Sequence, residues 1–134
     1  MRRFLLSAAC VAALATPALA GPAETVSAWY EALLKVDRDA IGSMLAPGAM
    51  VKLEDLGVTQ TRDEYIAALD EWEDAVAGAT IRHRIEGTEG DVTTVLACYD
   101  FPENDILIRE TFDIAGEQIA GNTQTTIADN CDGF

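Results

Sequence analysis

The stretch ATIRHRIEGTEGDVTTVLACYDFPENDILIRETFDIAGEQIAGNTQTTI, residues 79–127, decides the fold. Its apolar residues tend to recur at every second position, the period of a β-strand. Ala79 to Glu86 alternates, with Ile81, His83 and Ile85 on one face and Thr80, Arg82, Arg84 and Glu86 on the other. Gly87 to Asp91 reads as a turn. Val92 to Phe101 is apolar on both faces, as a central strand is. Pro102-Glu103-Asn104-Asp105 turns the chain, and Ile106 to Ile114 is the next strand. Ala115-Gly116-Glu117 turns it again, and Gln118 to Ile127 is the last. Four strands joined by short turns form an antiparallel meander.

Upstream the period becomes helical. Val26, Trp29, Tyr30, Leu33 and Leu34 place a helix over Ala23 to Val36. Asp37 caps a short helix, Arg38 to Leu45, and Pro47-Gly48 stops it. Ala49 to Leu53 reads as a strand, alone or in a hairpin, before the turn at Asp55-Leu56-Gly57. Thr61-Arg62-Asp63-Glu64 is a capping box: the Thr61 hydroxyl accepts from the Glu64 amide while the Glu64 side chain reaches back. It opens a third helix, to about Val76, with Tyr65, Ile66, Leu69, Trp72 and Val76 on its apolar side. Helices gathered before an antiparallel sheet give an α+β fold with one sheet face covered by helices.

The first twenty residues stand apart from this fold. Arg2 and Arg3 precede an apolar run, Phe4 to Ala15, and Ala18-Leu19-Ala20 is a small-residue cleavage site. That is the pattern of a secretory signal peptide, cut after Ala20, with Cys10 inside the segment removed. The reading predicts a periplasmic or extracellular protein made of one domain, residues 21–134. The two cysteines left, Cys98 and Cys131, are expected to form a disulfide in an oxidising compartment. Neither has a C-x-x-C partner or the basic sequence neighbour that a redox-active thiol needs. Closing a loop of this size stabilises by about 3–4 kcal/mol in the chain-entropy model.

Composition narrows the function. The 134 residues are 49% hydrophobic and 24% charged, an ordinary globular balance. With 23 acids against 9 bases the net charge is −14, and removal of Arg2 and Arg3 makes it more negative. Such a surface repels nucleic-acid backbones and anionic lipid, so neither nucleic acid nor membrane is expected as a partner of the mature chain. One histidine and three cysteines cannot supply an ordinary four-ligand zinc site from Cys and His alone. No phosphate-binding loop, dinucleotide fingerprint, G-x-S-x-G or H-E-x-x-H is present. The sequence therefore points to a protein without metal or cofactor.

Several words in order resemble a known family. They are Ala28-Trp29-Tyr30-Glu31-Ala32-Leu33, Asp37-Arg38-Asp39-Ala40-Ile41, Leu45-Ala46-Pro47-Gly48-Ala49, Thr61-Arg62-Asp63-Glu64-Tyr65 and Phe112-Asp113-Ile114-Ala115-Gly116-Glu117-Gln118-Ile119. Together they resemble the nuclear transport factor 2-like superfamily, in its SnoaL-like branch, over residues 23–128. The resemblance implies a cone: a curved antiparallel sheet wrapped around three helices from the N-terminal half, with a pocket at the open end. It also implies a homodimer through the outer sheet face. Members include isomerases, dehydratases and cyclases beside ligand-binding and interaction modules, so the chemistry has to come from the residues lining the pocket.

The candidates follow from strand parity. His83, the only histidine, lies between Ile81 and Ile85 on the face toward the helices and is a candidate general acid or base. Glu110 shares a face with Ile108 and Phe112, where an inward carboxylate has a raised pKa suited to acid catalysis. Tyr99 and Asp100, near one end of the central strand, offer a hydroxyl beside a carboxylate. Trp29, Tyr30, Tyr65, Phe112 and Asp55 are candidates for the pocket lining. Three functions compete: a small-molecule binder without catalysis, a cofactor-independent isomerase or lyase, and a dimerising interaction module with a filled pocket. The first needs only a closed cone with an apolar pocket, and it fits an exported protein with no cofactor motif best.

Overall fold

The computed structural model describes residues 21–134. The proposed signal peptide, residues 1–20 with Cys10, lies outside the described residues. Helix α1 runs Pro22–Lys35, α2 Arg38–Met44 and α3 Arg62–Val76. The strands are β1 Leu45–Leu53, β2 Val58–Thr61, β3 Thr80–Glu89, β4 Val92–Asp100, β5 Asp105–Ala115 and β6 Gln118–Ala128. A single 3-10 turn, Glu54–Leu56, links β1 to β2.

Each helix starts where its cap residues dictate. Pro22 sits in the first turn of α1, where its missing N–H costs nothing. The Asp37 side chain accepts from the Ala40 amide at 3.0 Å and opens α2. At α3 the capping box is complete: Glu64 N–H donates to Thr61 Oγ1 at 3.2 Å and Thr61 N–H to Glu64 Oε1 at 3.1 Å. Arg62 then ties α3 to α2, its Nε and Nη2 donating to the Gly42 carbonyl at 3.0 and 2.8 Å.

The six strands form one sheet in the order β2-β1-β6-β5-β4-β3. The meander β3 to β6 is antiparallel throughout. The sheet as a whole is mixed rather than antiparallel, because β1 pairs in parallel with β6 while β2 folds back against β1. The N-terminal half thus adds a hairpin to the edge left open by the last strand. Pro47-Gly48 also falls inside β1 rather than in a loop. The ladder pairs Leu45 with Ile119 and resumes at Met50 with Gly121, so residues 46–49 bulge out where proline has no ladder bond to forfeit. In the same way β3 runs past Gly87, through a register shift between Ile85 and Gly87, and turns at Gly90. Gly90 has φ +60°, a conformation glycine adopts without Cβ strain.

The concave face of the sheet and the three helices share one core. Trp29, Val26, Ile41, Val51, Val95, Phe112 and Ile119 are fully buried there. On the outer face Leu96, Cys98 and Leu107 are also buried, and Gly133 of the C-terminal segment lies over Leu107. The Cys98–Cys131 disulfide holds that segment down, with Cα atoms 5.7 Å apart. Beyond it the Phe134 ring lies under the guanidinium groups of Arg82 and Arg84, at 4.8 and 5.0 Å. No helix among the described residues is long and apolar enough to cross a membrane.

Candidate functional site

A cavity of about 360 Å³ opens between α3, the β1–β2 hairpin and the concave face of the sheet. Its apolar wall is Leu33, Leu53, Leu56, Val58 and Leu69. Three aromatic rings, Tyr65, Trp72 and Tyr99, form another side, and Gln60, Glu71 and Gln124 supply the polar groups. A second cleft of about 300 Å³ adjoins it through Leu53, Leu56 and Gln124, and adds Asp55, Ile108 and Thr126. A larger and more open cleft, about 500 Å³, lies at the end of α3 beside Phe101 and Pro102, and neither Glu110 nor His83 lines it.

The rings lining the cavity are held from behind. Trp72 Nε1 donates to the Leu33 carbonyl at 2.8 Å, which fixes its plane. Its ring meets Tyr99 edge-on at 6.1 Å. Tyr65 stacks on Trp29 with centroids 5.7 Å apart. Such offset and edge-to-face contacts suit the ring quadrupoles.

Behind the cavity floor lies Glu110, fully buried on β5. The Tyr99 hydroxyl donates to Glu110 Oε1. Asn122 Nδ2 donates to Glu110 Oε2 at 3.2 Å, and Gln124 Nε2 to Asn122 Oδ1 at 3.0 Å. Burial in apolar surroundings pushes the Glu110 carboxyl up to about 7, and the bonds from Tyr99 and Asn122 oppose that rise. The Tyr30 hydroxyl is buried against the same group without an aligned hydrogen-bond partner. Burial first, and the Glu110 charge second, raise the pKa of Tyr30, Tyr65 and Tyr99 above the ordinary tyrosine value. The site is thus one ionisable carboxyl ringed by three neutral phenols. Tyr65, Tyr99 and Gln124 line the cavity, and Glu110 lies behind them.

The remaining candidates are dispersed. His83 does face α1: its ring stacks on Tyr30 at 4.8 Å and Nε2 lies 3.3 Å from Ser27 Oγ. It is half-buried on the outermost strand of the meander, outside the cavity, and burial lowers its pKa with no carboxylate to raise it. Asp100 is exposed at the end of β4, opposite Thr80 and Asp105, while its neighbour Tyr99 points inward. Asp55 is exposed beside the second cleft, where its Oδ2 accepts from the Thr126 amide at 2.8 Å and its pKa is lowered. Trp29, Tyr30 and Phe112 belong to the core beneath the cavity; of the five proposed lining residues, Tyr65 alone lines the main cavity and Asp55 the adjoining cleft.

Sequence reasoning missed Asn122 and Gln124. They share a parity on β6 and lie opposite Phe112 and Glu110. Two amides on the inward face of a strand were the available signal, but the register that sets them beside Glu110 was not. Trp72, which the sequence puts on the apolar side of α3, is part of the cavity wall.

No protein-family model matches the sequence, and no curated protein matches it. Solved structures do match. A nuclear transport factor 2-like protein of unknown function from Burkholderia xenovorans is 19% identical over 82% of this chain and 84% of that one, with a TM-score of 0.67. A hypothetical protein with a ketosteroid isomerase-like fold from Catenulispora acidiphila, in complex with trimethylamine, is 18% identical over 79% and 88%, with a TM-score of 0.63. A proposed SnoaL-like polyketide cyclase from Shewanella denitrificans is 10% identical over 78% and 88%, with a TM-score of 0.63. At such identities the likeness is one of architecture, and by it the chain has the nuclear transport factor 2-like α+β cone fold, in the form that ketosteroid isomerase-like and SnoaL-like proteins share.

Proposed function

We propose that this is an exported, periplasmic or extracellular, protein that binds a small, largely apolar molecule in the cone cavity without transforming it. One observation carries the reading. The cavity presents apolar and aromatic walls with a few polar groups, while the one carboxyl tuned toward neutrality is screened from it by Tyr99. Sites for small ligands have this make-up. A protein of the same architecture in complex with trimethylamine agrees with small-molecule binding on this fold. The disulfide agrees with an oxidising compartment. Pairing of two copies through the outer sheet face would use the part of it that the segment Asp129 to Phe134 leaves uncovered.

The test fills the cavity. Ala68 lines it from α3 and is half-buried, so Ala68→Trp inserts a ring with little cost to the core. A ligand-observed NMR screen of compounds of about ten to fifteen heavy atoms is expected to give binders that Ala68→Trp abolishes. Binding that survives in Ala68→Trp refutes the reading.

The second reading is a cofactor-independent isomerase or lyase, favoured by the Tyr99–Glu110 pair. The Tyr99 hydroxyl would touch the substrate and Glu110 would take or return the proton behind it. Turnover of a bound compound, lost in Tyr99→Phe with binding retained, would establish it.

A further inference from the structure

We infer that the cavity selects an organic cation: an ammonium group carrying an apolar body. This deepens the proposal that the cavity is a ligand site and rests on it. Several observations converge. No lysine or arginine lines the cavity or the adjoining cleft. The basic side chains of the described residues are engaged elsewhere. Lys35, Arg38, Lys52, Arg62 and Arg109 are each paired with acids, and Arg82 and Arg84 lie over Phe134. An anionic ligand would therefore meet no compensating charge.

The walls carry what a cation needs. Tyr65, Trp72 and Tyr99 all line the cavity, Trp72 held edge-on against Tyr99 and Tyr65 stacked on Trp29. Aromatic rings have negative faces, and a cavity lined by them attracts ammonium groups. Tyr65 and Tyr99 keep their protons, so they act as neutral π faces rather than as phenolates. Glu71 stands at the rim, exposed, and no described lysine or arginine pairs with it. Behind Tyr99 lies Glu110. The groups facing it are Tyr30 from α1, Tyr65 from α3, Tyr99 from β4 and Asn122 from β6, none of them cationic. The excess of acids over the whole chain adds a long-range field of the same sign.

A bound cation favours the ionised form of Glu110, and an ionised Glu110 favours the cation. Affinity should therefore rise with pH through the range in which Glu110 titrates. A permanently charged ligand isolates this effect from the ligand's own protonation.

Three probes of similar shape decide the matter by titration calorimetry or NMR: benzyltrimethylammonium, its uncharged isostere neopentylbenzene, and phenylacetate. The cation is expected to bind at least tenfold more tightly than neopentylbenzene, with phenylacetate weakest. Its affinity is expected to fall severalfold from pH 8 to pH 6 in the native chain and to stay level in Glu110→Gln. Glu71→Gln, at an exposed site of the rim, is expected to weaken the cation severalfold more than it weakens neopentylbenzene. If neopentylbenzene binds as tightly as the cation, the inference is overturned while the cavity reading stands. If none of the three gives a signal that Ala68→Trp removes, and the broader screen also fails, both fall together.

Discussion

Tyr99 and Glu110 meet although their backbones do not. In the β4–β5 ladder Glu110 lies opposite Val95 and Tyr99 opposite Ile106. Four residues of strand, about 13 Å at the usual rise, separate the two positions along β4. The contact forms because both side chains lean along the strands on the concave face of a curved sheet, where inward-pointing groups converge. The hydrogen bond is therefore a property of the cone's curvature.

Removing the Tyr99 hydroxyl leaves a buried carboxyl with one donor fewer. Tyr99→Phe is expected to raise the Glu110 pKa above about 7 and to cost about 1–2 kcal/mol of stability. Carbon-detected NMR of the carboxyl and denaturant unfolding read the two effects. An unmoved midpoint would show that the bond does not stabilise the carboxylate.

Glu110 makes the fold less stable as pH rises. Its folded pKa, about 7, exceeds the unfolded value near 4.5. Below pH 4.5 both states hold the proton. Between 4.5 and 7 the unfolded chain releases it and the folded chain retains it, which favours unfolding. Above 7 the penalty is complete, up to about 3 kcal/mol by linkage. Glu110→Gln removes it, so the variant should gain on the native chain between pH 5 and pH 8. Paired unfolding curves at the two pH values cancel the contribution of the other acids.

His83 titrates below its ordinary value because burial disfavours the charged ring. As the only imidazole of the chain it gives an unambiguous proton NMR signal. The midpoint is expected below 6.5, and His83→Ala is expected to leave ligand affinity unchanged. A midpoint above 6.5 would require a carboxylate partner and return His83 to the list of acid–base groups.

Reduction of Cys98–Cys131 releases the segment after β6. Cys98→Ala combined with Cys131→Ala is expected to lower stability by about 3–4 kcal/mol and to expose the amides of Asp129 to Phe134 to exchange. Hydrogen exchange tests this directly. Unchanged protection there would assign the hold to Phe134 between Arg82 and Arg84.

What could be read from sequence was local. The Thr61–Glu64 box needs only a four-residue spacing, and it sets the start of α3. Alternation fixed the strands of the meander, and the parity of Glu110 with Ile108 and Phe112 placed its side chain inward. What escaped was long-range. The parallel pairing of β1 with β6 joins residues about seventy positions apart, and no local pattern encodes it. The bulge that carries Pro47-Gly48 inside a strand depends on that pairing. Trp29 and Tyr65 share the helical spacing of buried aromatics, yet one is core and the other wall. Only the stacking of α3 over α1 separates them.

The position of β6 has a consequence for how the molecule is made. Leu53 and Gln124 stand on neighbouring strands and line the same cavity, so the walls close only when the last strand arrives. Contacts this distant in sequence are slow to form, because a long loop must be ordered before they repay it. A chain still emerging from the ribosome cannot complete the sheet, and its helices have only half a surface to pack on. Closure of the cavity is therefore deferred until β6 has been made, and the segments before it wait in an open state.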